Sequence, residues 1–139
     1  MATIKLSHDY PVSKEKIWEY LTNDDLLTSW CLPSKIFLLE KGKEFIFQSD
    51  PSIFWDGLFK NTILDFSMNT FLSYKCVNEN SKLDTVVTWK IIEENNSVKL
   101  SLEHSGFRPI KDFFTKVALT GGWKNMMQQK LYNKLIENR

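Results

Sequence analysis

The spacing of apolar side chains changes along the chain, and each spacing predicts a different element. Residues 3–10 alternate between apolar and polar side chains, which predicts a half-buried strand. Pro11 ends that alternation. Ser13 is a good N-cap for a first short helix, Lys14–Tyr20, and a second short helix is predicted to end near Trp30. The chain is therefore expected to begin with one strand followed by two short helices.

Alternation returns in the middle of the chain, between residues 36 and 105. Polar turns rich in Gly, Asn, Asp and Ser separate the alternating stretches, and strands joined by such short loops pair in an antiparallel sheet. The six predicted strands are Ile36–Leu39, Glu44–Ser49, Trp55–Phe66, Phe71–Val77, Thr85–Ile92 and Val98–Ser105. With the first strand they predict a sheet of six to seven strands.

After Gly106 the apolar residues recur every three or four positions, which is typical of a helix. The pattern predicts one long helix, Lys111–Ile136, with Gly121-Gly122 inside it. Two glycines in a helix interior indicate either a kink or a close approach of another element. Because a one-sided sheet must bury its apolar face, we predict an α+β fold in which the sheet wraps around this last helix.

Length and charge narrow the class of protein further. A chain of 139 residues is the usual size of one domain, so we expect a single domain over residues 1–139. The net charge is +1, with two arginines and no basic tract, which disfavours nucleic acid binding. No apolar run approaches the ~20 residues of a membrane-spanning helix, and the N-terminus lacks a signal-peptide core. We therefore expect a cytoplasmic protein without membrane insertion, with Cys31 and Cys76 as reduced thiols.

Six short motifs resemble, in their order along the chain, the landmarks of one known family. The first is an entry from strand to helix that ends in a Trp, the second is a second helix with a terminal Trp, and the third is a turn followed by alternating aromatics. The others are the glycine that opens the middle strand, the last strand, and the start of the closing helix. The motifs are Val12–Trp18, Leu26–Trp30, Lys41–Phe47, Trp55-Asp56-Gly57, Leu100–Phe107, and Gly122-Trp123 with Leu131 and Leu135.

This arrangement is similar to the START or SRPBCC superfamily, which has the helix-grip fold. Within it, the chain resembles the group named for the C-terminal domain of the activator of the heat-shock-protein-90 ATPase. The resemblance implies that the first and last strands pair and that a cavity often lies between sheet and helix. The superfamily includes lipid carriers, hormone receptors and polyketide cyclases. The heat-shock activator has a further N-terminal domain for which 139 residues leave no room, so the resemblance covers the module alone.

Two histidines, His8 and His104, are the candidates for acid–base chemistry. Parity places both on the apolar faces of their strands, and if the first and last strands pair, the two could lie close together. The alternative is that both are hydrogen-bonded interior residues without a catalytic role. The sequence contains no phosphate-binding loop, nucleophile elbow or zinc motif, so we expect neither a cofactor nor a metal.

Aromatic residues, 14% of the chain, give the stronger signal. Large flat side chains either fill a core or line a space within it, and ligand pockets are typically apolar with a few polar groups. Sequence alone does not separate a lined cavity from a filled core, so both interpretations stay open. The predicted cavity residues between sheet and helix are His8, Phe45, Phe47, Phe59, Asn61, Tyr74, Trp89, His104, Trp123, Met126 and Met127.

Three functions are compatible with these features. The first is a noncatalytic module that binds a small apolar or amphipathic ligand. The second is an enzyme of the cyclase or hydrolase kind that uses His8 and His104, with Tyr74 as a donor. The third is a domain that forms a homodimer or contacts a chaperone through exposed apolar residues. The residues predicted to form that surface are Leu26, Leu27, Trp30, Ile53, Phe54 and Trp55.

Overall fold

The architecture is seen in a computed structural model that describes residues 2–50 and 56–137. Its strands are β1 (Ala2–Tyr10), β2 (Ser34–Lys35), β3 (Glu44–Gln48), β4 (Leu58–Ser67), β5 (Phe71–Asn78), β6 (Leu83–Glu93) and β7 (Val98–Phe107). Its helices are α1 (Lys14–Leu21), α2 (Asp24–Trp30), α3 (Phe113–Asn125) and α4 (Tyr132–Glu137), and a π-helical segment, Met126–Leu131, joins the last two.

The strands of the described residues form one antiparallel sheet, in the order β1-β7-β6-β5-β4-β3-β2. Strands β2 to β6 each pair with the next strand in sequence, because antiparallel neighbours need only short connections. Strand β1 instead pairs with β7, where Leu6 lies opposite Leu102. The helix pair after β1 carries the chain to the far edge of the sheet. The predicted α+β helix-grip fold is therefore confirmed, with seven strands.

Local hydrogen bonds explain where the two short helices begin. The Ser13 side chain accepts a hydrogen bond at 3.2 Å from the backbone N–H three residues later. The Asn23 side chain accepts one at 3.1 Å from the Leu26 N–H. Each bond satisfies a backbone donor that the first helical turn leaves without a partner. The second helix then buries Trp30, whose ring packs edge-on against Trp89.

The C-terminal helix runs from Phe113 to Glu137, close to the predicted bounds of 111 and 136. Four residues of an α-helix rotate about 40° beyond one full turn, so side chains spaced by four drift around the helix. A π-helical turn contains more residues, and it helps to keep such side chains facing the core. A Cβ at Gly121 or Gly122 would meet nothing within 4 Å, so a close approach of another element does not explain the two glycines. The buried residues of the row are Trp123, Met127, Leu131 and Leu135.

One predicted strand is wrong. The pattern predicts a strand at Ile36–Leu39, but the paired residues are Ser34–Lys35, which lie opposite Phe47 and Ile46. Ile36 has a φ of 57°, in the left-handed region that β-branched residues rarely adopt. The extended run therefore stops just before the segment that the apolar pattern indicates.

The middle strand starts later than the pattern predicts. It begins at Leu58, directly after Gly57, and Trp55 lies outside the described residues. Gly57 has a φ of 78°, and a Cβ there would collide with the Ser49 carbonyl oxygen. Glycine alone tolerates both the backbone conformation and the close approach, and it fixes where the strand begins.

Candidate functional site

A small cavity lies between the sheet and the C-terminal helix. Its volume is about 20 Å³, room for roughly one water molecule. Strands β3 to β7 form one wall, and α3 and the loop after α2 form the other. The lining residues are Leu32, Phe47, Phe59, Tyr74, Cys76, Val87, His104, Leu119 and Trp123.

The residues predicted for this site fall into three groups. The group that lines the cavity is Phe47, Phe59, Tyr74, His104 and Trp123. The group that is buried elsewhere in the interior is Phe45, Asn61, Trp89 and Met127. His8 and Met126 are half-buried. Five of the eleven predicted residues therefore surround the cavity.

Sequence reasoning missed four lining residues. Cys76 and Val87 lie on the inward faces of β5 and β6, so the parity of their strands could have identified them. Leu119 precedes Trp123 by one helical turn and could have been found from that spacing. Leu32 follows α2 in a loop and gives no periodic signal.

His104 connects the helix to the sheet through both nitrogens of its ring. The Trp123 indole N–H donates to His104 Nδ1 at 3.1 Å, so that nitrogen carries no proton. His104 Nε2 therefore carries the proton and donates it to Thr85 Oγ1 at 2.7 Å. The Thr85 hydroxyl donates in turn to the Cys76 carbonyl oxygen at 2.8 Å. In this network the imidazole is a fully partnered structural group.

The cavity wall carries no charge at neutral pH. Burial lowers the pKa of His104 to about 3, because the imidazolium cation would lose its hydration. Burial also raises the pKa of the Cys76 thiol to about 12 and raises the pKa of Tyr74 well above its usual value. An uncharged interior of this kind suits an uncharged ligand.

His8 does not form a pair with His104. In the β1–β7 register His8 lies opposite Leu100, whereas Ile4 lies opposite His104, so the histidines are four positions apart. At about 3.3 Å per residue that is roughly 13 Å. His8 packs edge-on against two tyrosine rings, at centroid distances of 5.1 and 5.6 Å. The expectation that the two histidines lie close together is wrong, and the acid–base pair of the enzyme hypothesis is not assembled.

Asn61 is fully buried on the inward face of β4. Its side-chain NH₂ group donates long hydrogen bonds to the carbonyl oxygens of Phe45 and Phe59, at 3.4 and 3.5 Å. Among the described residues, its amide oxygen Oδ1 is the one buried side-chain nitrogen or oxygen atom without a hydrogen-bond partner. Such an atom costs about 1–3 kcal/mol, so packing alone does not explain Asn61.

Three tryptophans form a column between the sheet and the helices. The Trp89 ring lies edge-on between Trp30 and Trp123, at centroid distances of 6.0 and 5.4 Å. The Trp89 N–H donates to the Tyr74 hydroxyl at 3.1 Å, and the Trp30 N–H donates to the Tyr20 carbonyl at 3.0 Å. Buried indoles are well placed when their N–H groups find such partners. Trp123, at one end of the column, is also part of the cavity wall.

The surface predicted to contact a partner is largely internal. Leu27 and Trp30 are buried, at 3% and 1% exposure, and Leu26 is partly buried against the core. Residues 53–55 lie outside the described part of the chain. The prediction that Leu27 and Trp30 are exposed is wrong, because α2 turns these side chains toward the tryptophan column.

Large apolar side chains are exposed instead on the outer face of α3 and in the turn before it. Residues three and four apart lie on one face of a helix, so four exposed side chains form one row. The rings of Phe113 and Phe114 contact each other edge-on at 5.4 Å, and Phe114 is 75% exposed. We name this row the α3 stripe; it consists of Ile110, Phe113, Phe114 and Val117.

Within residues 2–50 and 56–137, no helix is both long and apolar enough to cross a membrane. The same ranges contain no group of three His, Cys, Asp or Glu side chains placed to hold a metal ion. Cys31 and Cys76 are both buried free thiols.

The fold is similar to several solved structures. Protein MLL2253 from Mesorhizobium loti has a TM-score of 0.85 and 25% identity, and the match covers 99% of this chain and 98% of that chain. The Aha1 dimer from Colwellia psychrerythraea has a TM-score of 0.76 and 18% identity, over 97% and 96% of the two chains. CalU16 from Micromonospora echinospora has a TM-score of 0.73 and 21% identity, over 91% and 71%. These last two matches show a shared fold alone.

The sequence comparisons identify the family. No curated protein sequence matches the chain significantly. The family model described as Activator of Hsp90 ATPase homolog 1-like protein matches residues 11–135. That range contains all six motifs, and the predicted resemblance is confirmed. This chain therefore belongs to the family of Activator of Hsp90 ATPase homolog 1-like proteins, within the SRPBCC superfamily.

Proposed function

We propose that this protein is a noncatalytic binding module that holds a small, uncharged, apolar or amphipathic molecule between the sheet and the C-terminal helix. The observation that carries the proposal is the apolar cavity at the centre of the inward sheet face. Two polar side chains of its wall, His104 and Tyr74, are already hydrogen-bonded to other residues. Ligand sites are typically concave and apolar, with few polar groups.

At about 20 Å³ the cavity has room for roughly one water molecule, so a larger ligand requires one wall to move. The first half of α3 is the part best able to do so. Trp123 is the one buried residue of α3, whereas Leu119 is half-buried and lines the cavity. Gly121-Gly122 separate these residues, and glycine allows a helix to bend at low cost. Movement of the turn that carries Leu119 enlarges the cavity while Trp123 keeps its hydrogen bond to His104.

The test measures binding of toluene, an uncharged apolar probe, by ligand-detected NMR and by the shift of the thermal unfolding midpoint. We expect the wild type to bind toluene and Leu119→Trp to lose that binding, because the indole ring fills the cavity. Val117→Trp is the matched control, since Val117 lies two residues away on the exposed side of the same helix. Equal binding by both variants, or no binding by the wild type, contradicts the proposal.

Native mass spectrometry of the protein purified from cells addresses the natural ligand. A mass above that of the denatured chain would identify a retained molecule, and its value would begin to name the chemical class. A cytoplasmic location stays a prediction of the sequence, so a cytoplasmic ligand is the one to seek first.

A second candidate function is self-association through the α3 stripe. Exposed contiguous apolar side chains on a monomer often mark interaction sites, and a two-fold axis would pack the stripe against the same stripe of a second copy. The Colwellia psychrerythraea protein with a similar fold is described as a dimer, which supports a second copy as the partner. Contact with a chaperone, which the family name suggests, stays a prediction.

Sedimentation velocity across a range of concentrations tests self-association. We expect the wild type to form a dimer and Phe114→Asp to remain a monomer, because the carboxylate would be buried in the interface. Met68→Asp is the control, since Met68 is exposed in the turn after β4, outside the stripe. A wild type that stays monomeric, or a dimer that Phe114→Asp leaves intact, contradicts this function.

A further inference from the structure

We infer that Asn61 is the polar anchor of the ligand, and that the ligand is an uncharged, mainly apolar molecule whose single hydroxyl or N–H group donates to Asn61 Oδ1. The inference rests on the proposed function, because it assigns a partner to a group in the same interior. The starting observation is a buried amide oxygen that no described residue satisfies.

Asn61 is not itself a lining residue, but residues next to it on the inward sheet face line the cavity. Strand pairing places it opposite Cys76, and Phe59 precedes it by two positions on the same face of β4. Both of these residues line the cavity, as does Tyr74, which lies opposite Ile63 on the next inward position. The inward neighbour of Asn61 across on β5, Cys76, and one of its two inward neighbours along β4, Phe59, are therefore part of the cavity wall.

The hydrogen bonds of the Asn61 amide determine which atom faces the interior. Its Nδ2 donates to the backbone carbonyls of Phe45 and Phe59. The reverse orientation would place Oδ1 against the same two carbonyl oxygens, with no proton between them. Because Nδ2 is held by the two carbonyl oxygens, Oδ1 is the atom of the amide that is left for a ligand.

An apolar residue would suit this position better if packing were its only role. Asn61 lies between Phe59 and Ile63 on a face of β4 whose other members here are buried and apolar. Leucine has a similar volume and leaves no unpaired acceptor, and apolar replacements of this kind are often neutral or stabilising. A bound hydrogen-bond donor removes the cost of the asparagine, which is why the geometry points to a ligand.

The remaining polar groups define the chemical class. His104 uses both ring nitrogens, Thr85 both donates and accepts, and the Tyr74 hydroxyl accepts from Trp89. None of them carries a charge, and Asn61 contributes an open acceptor. An alcohol, a phenol or an N–H heterocycle fits this wall. A carboxylate or phosphate does not, because its charge would be buried without a counter-charge and its oxygens would face another acceptor.

The experiment compares phenol with toluene, which have nearly the same shape and differ in one donor group. The affinities of both are measured by ligand-detected NMR for the wild type, Asn61→Leu and Cys76→Ala. We expect the ratio of phenol to toluene affinity to fall roughly fivefold or more in Asn61→Leu, since the buried hydroxyl then lacks its acceptor. Cys76→Ala is the matched control, because it changes the wall opposite Asn61 but keeps the acceptor, so the ratio should stay constant.

The outcomes separate this inference from the proposed function. If both probes bind and the ratio is the same in the wild type and Asn61→Leu, the anchor is overturned and the binding module stands. If neither probe binds the wild type, the binding module fails and the anchor fails with it. Asn61→Leu is expected to unfold at or above the wild-type temperature; should it not fold, Asn61→Ala replaces it, with the same expected fall in the ratio.

Discussion

The two halves of the C-terminal helix share one helical spacing of apolar residues but have opposite surroundings. In the first half, Phe113, Phe114 and Val117 are exposed. In the second half, the apolar row faces the core, and its members Trp123, Met127, Leu131 and Leu135 are buried. A periodic pattern thus identifies a helix without showing which of its apolar rows meets the sheet.

Hydrogen bonds to the sheet follow the same division. Trp123 donates to His104, and the Tyr10 hydroxyl of β1 donates to the Met127 carbonyl oxygen at 2.7 Å. Among the described residues, no hydrogen bond joins residues 113–120 to a strand. One continuous helix therefore supplies a part of the core that is bonded to the sheet and, in its first half, the cavity wall that we propose to move.

Truncating a leucine in each half should give the largest difference between them. Leu131→Ala removes a fully buried side chain, and we expect the free energy of unfolding to fall by about 2–5 kcal/mol. Leu119→Ala removes a half-buried side chain beside an existing cavity, with an expected fall of about 1 kcal/mol. Urea unfolding measures both, and equal losses would remove the distinction between the halves.

The second-largest effect is expected from acid, which should lower the free energy of unfolding through His104, the partner of Trp123. Burial holds the pKa of His104 at about 3, below the ordinary value of 6.5 that applies in the unfolded chain. The unfolded state therefore binds the proton first, so stability is complete above pH 6.5 and falls as the pH drops toward 3. Between about pH 7.5 and about pH 4.5, the wild type should lose about 2–3 kcal/mol more than His104→Gln in urea unfolding. If the wild type and His104→Gln lose the same free energy of unfolding over this pH range, His104 does not titrate from this buried position.

The tie between Tyr10 and the π-helical segment should have a smaller effect. Tyr10→Phe removes the buried hydrogen bond to the Met127 carbonyl, and we expect a loss of about 1–2 kcal/mol in urea unfolding. Tyr132→Phe is the matched control on the half-buried neighbouring ring. Toluene binding should be unchanged in Tyr10→Phe, because the moving wall lies in the other half. A loss of toluene binding would contradict that assignment.

The smallest effect is expected at the glycine pair. Gly121→Ala should raise the free energy of unfolding by about 0.5–1 kcal/mol, because alanine favours the helix and its Cβ would meet open space. The stiffer helix should also slow the exchange of toluene, which NMR line shapes report. Ala118→Gly, at an exposed position of the same helix, is the reverse control. Destabilisation by Gly121→Ala would mean that the helix needs a glycine conformation there.

Alternation along the strands identifies the side chains that enter the interior, because neighbours in a strand point to opposite faces. Tyr74, Trp89 and His104 are all buried on the faces that parity indicates. Alternation does not show which of them surround one space, since that depends on strand register and on the position of the helix. Register places Ile4, and not His8, opposite His104. The two histidines are therefore too far apart to form the acid–base pair of the enzyme hypothesis.

The sequence by itself determined the order and type of the elements, because spacing, caps and turn residues act over a few neighbouring positions. The family was indicated by the resemblance of six motifs, in their order along the chain, to its landmarks. Only the tertiary structure decided that Trp30 is buried while Phe114 is exposed. It also decided that His104 is a closed hydrogen-bonded group and that Asn61 keeps an open acceptor. The surroundings of each side chain come from elements far away in the sequence that pack over it, and no local pattern records them.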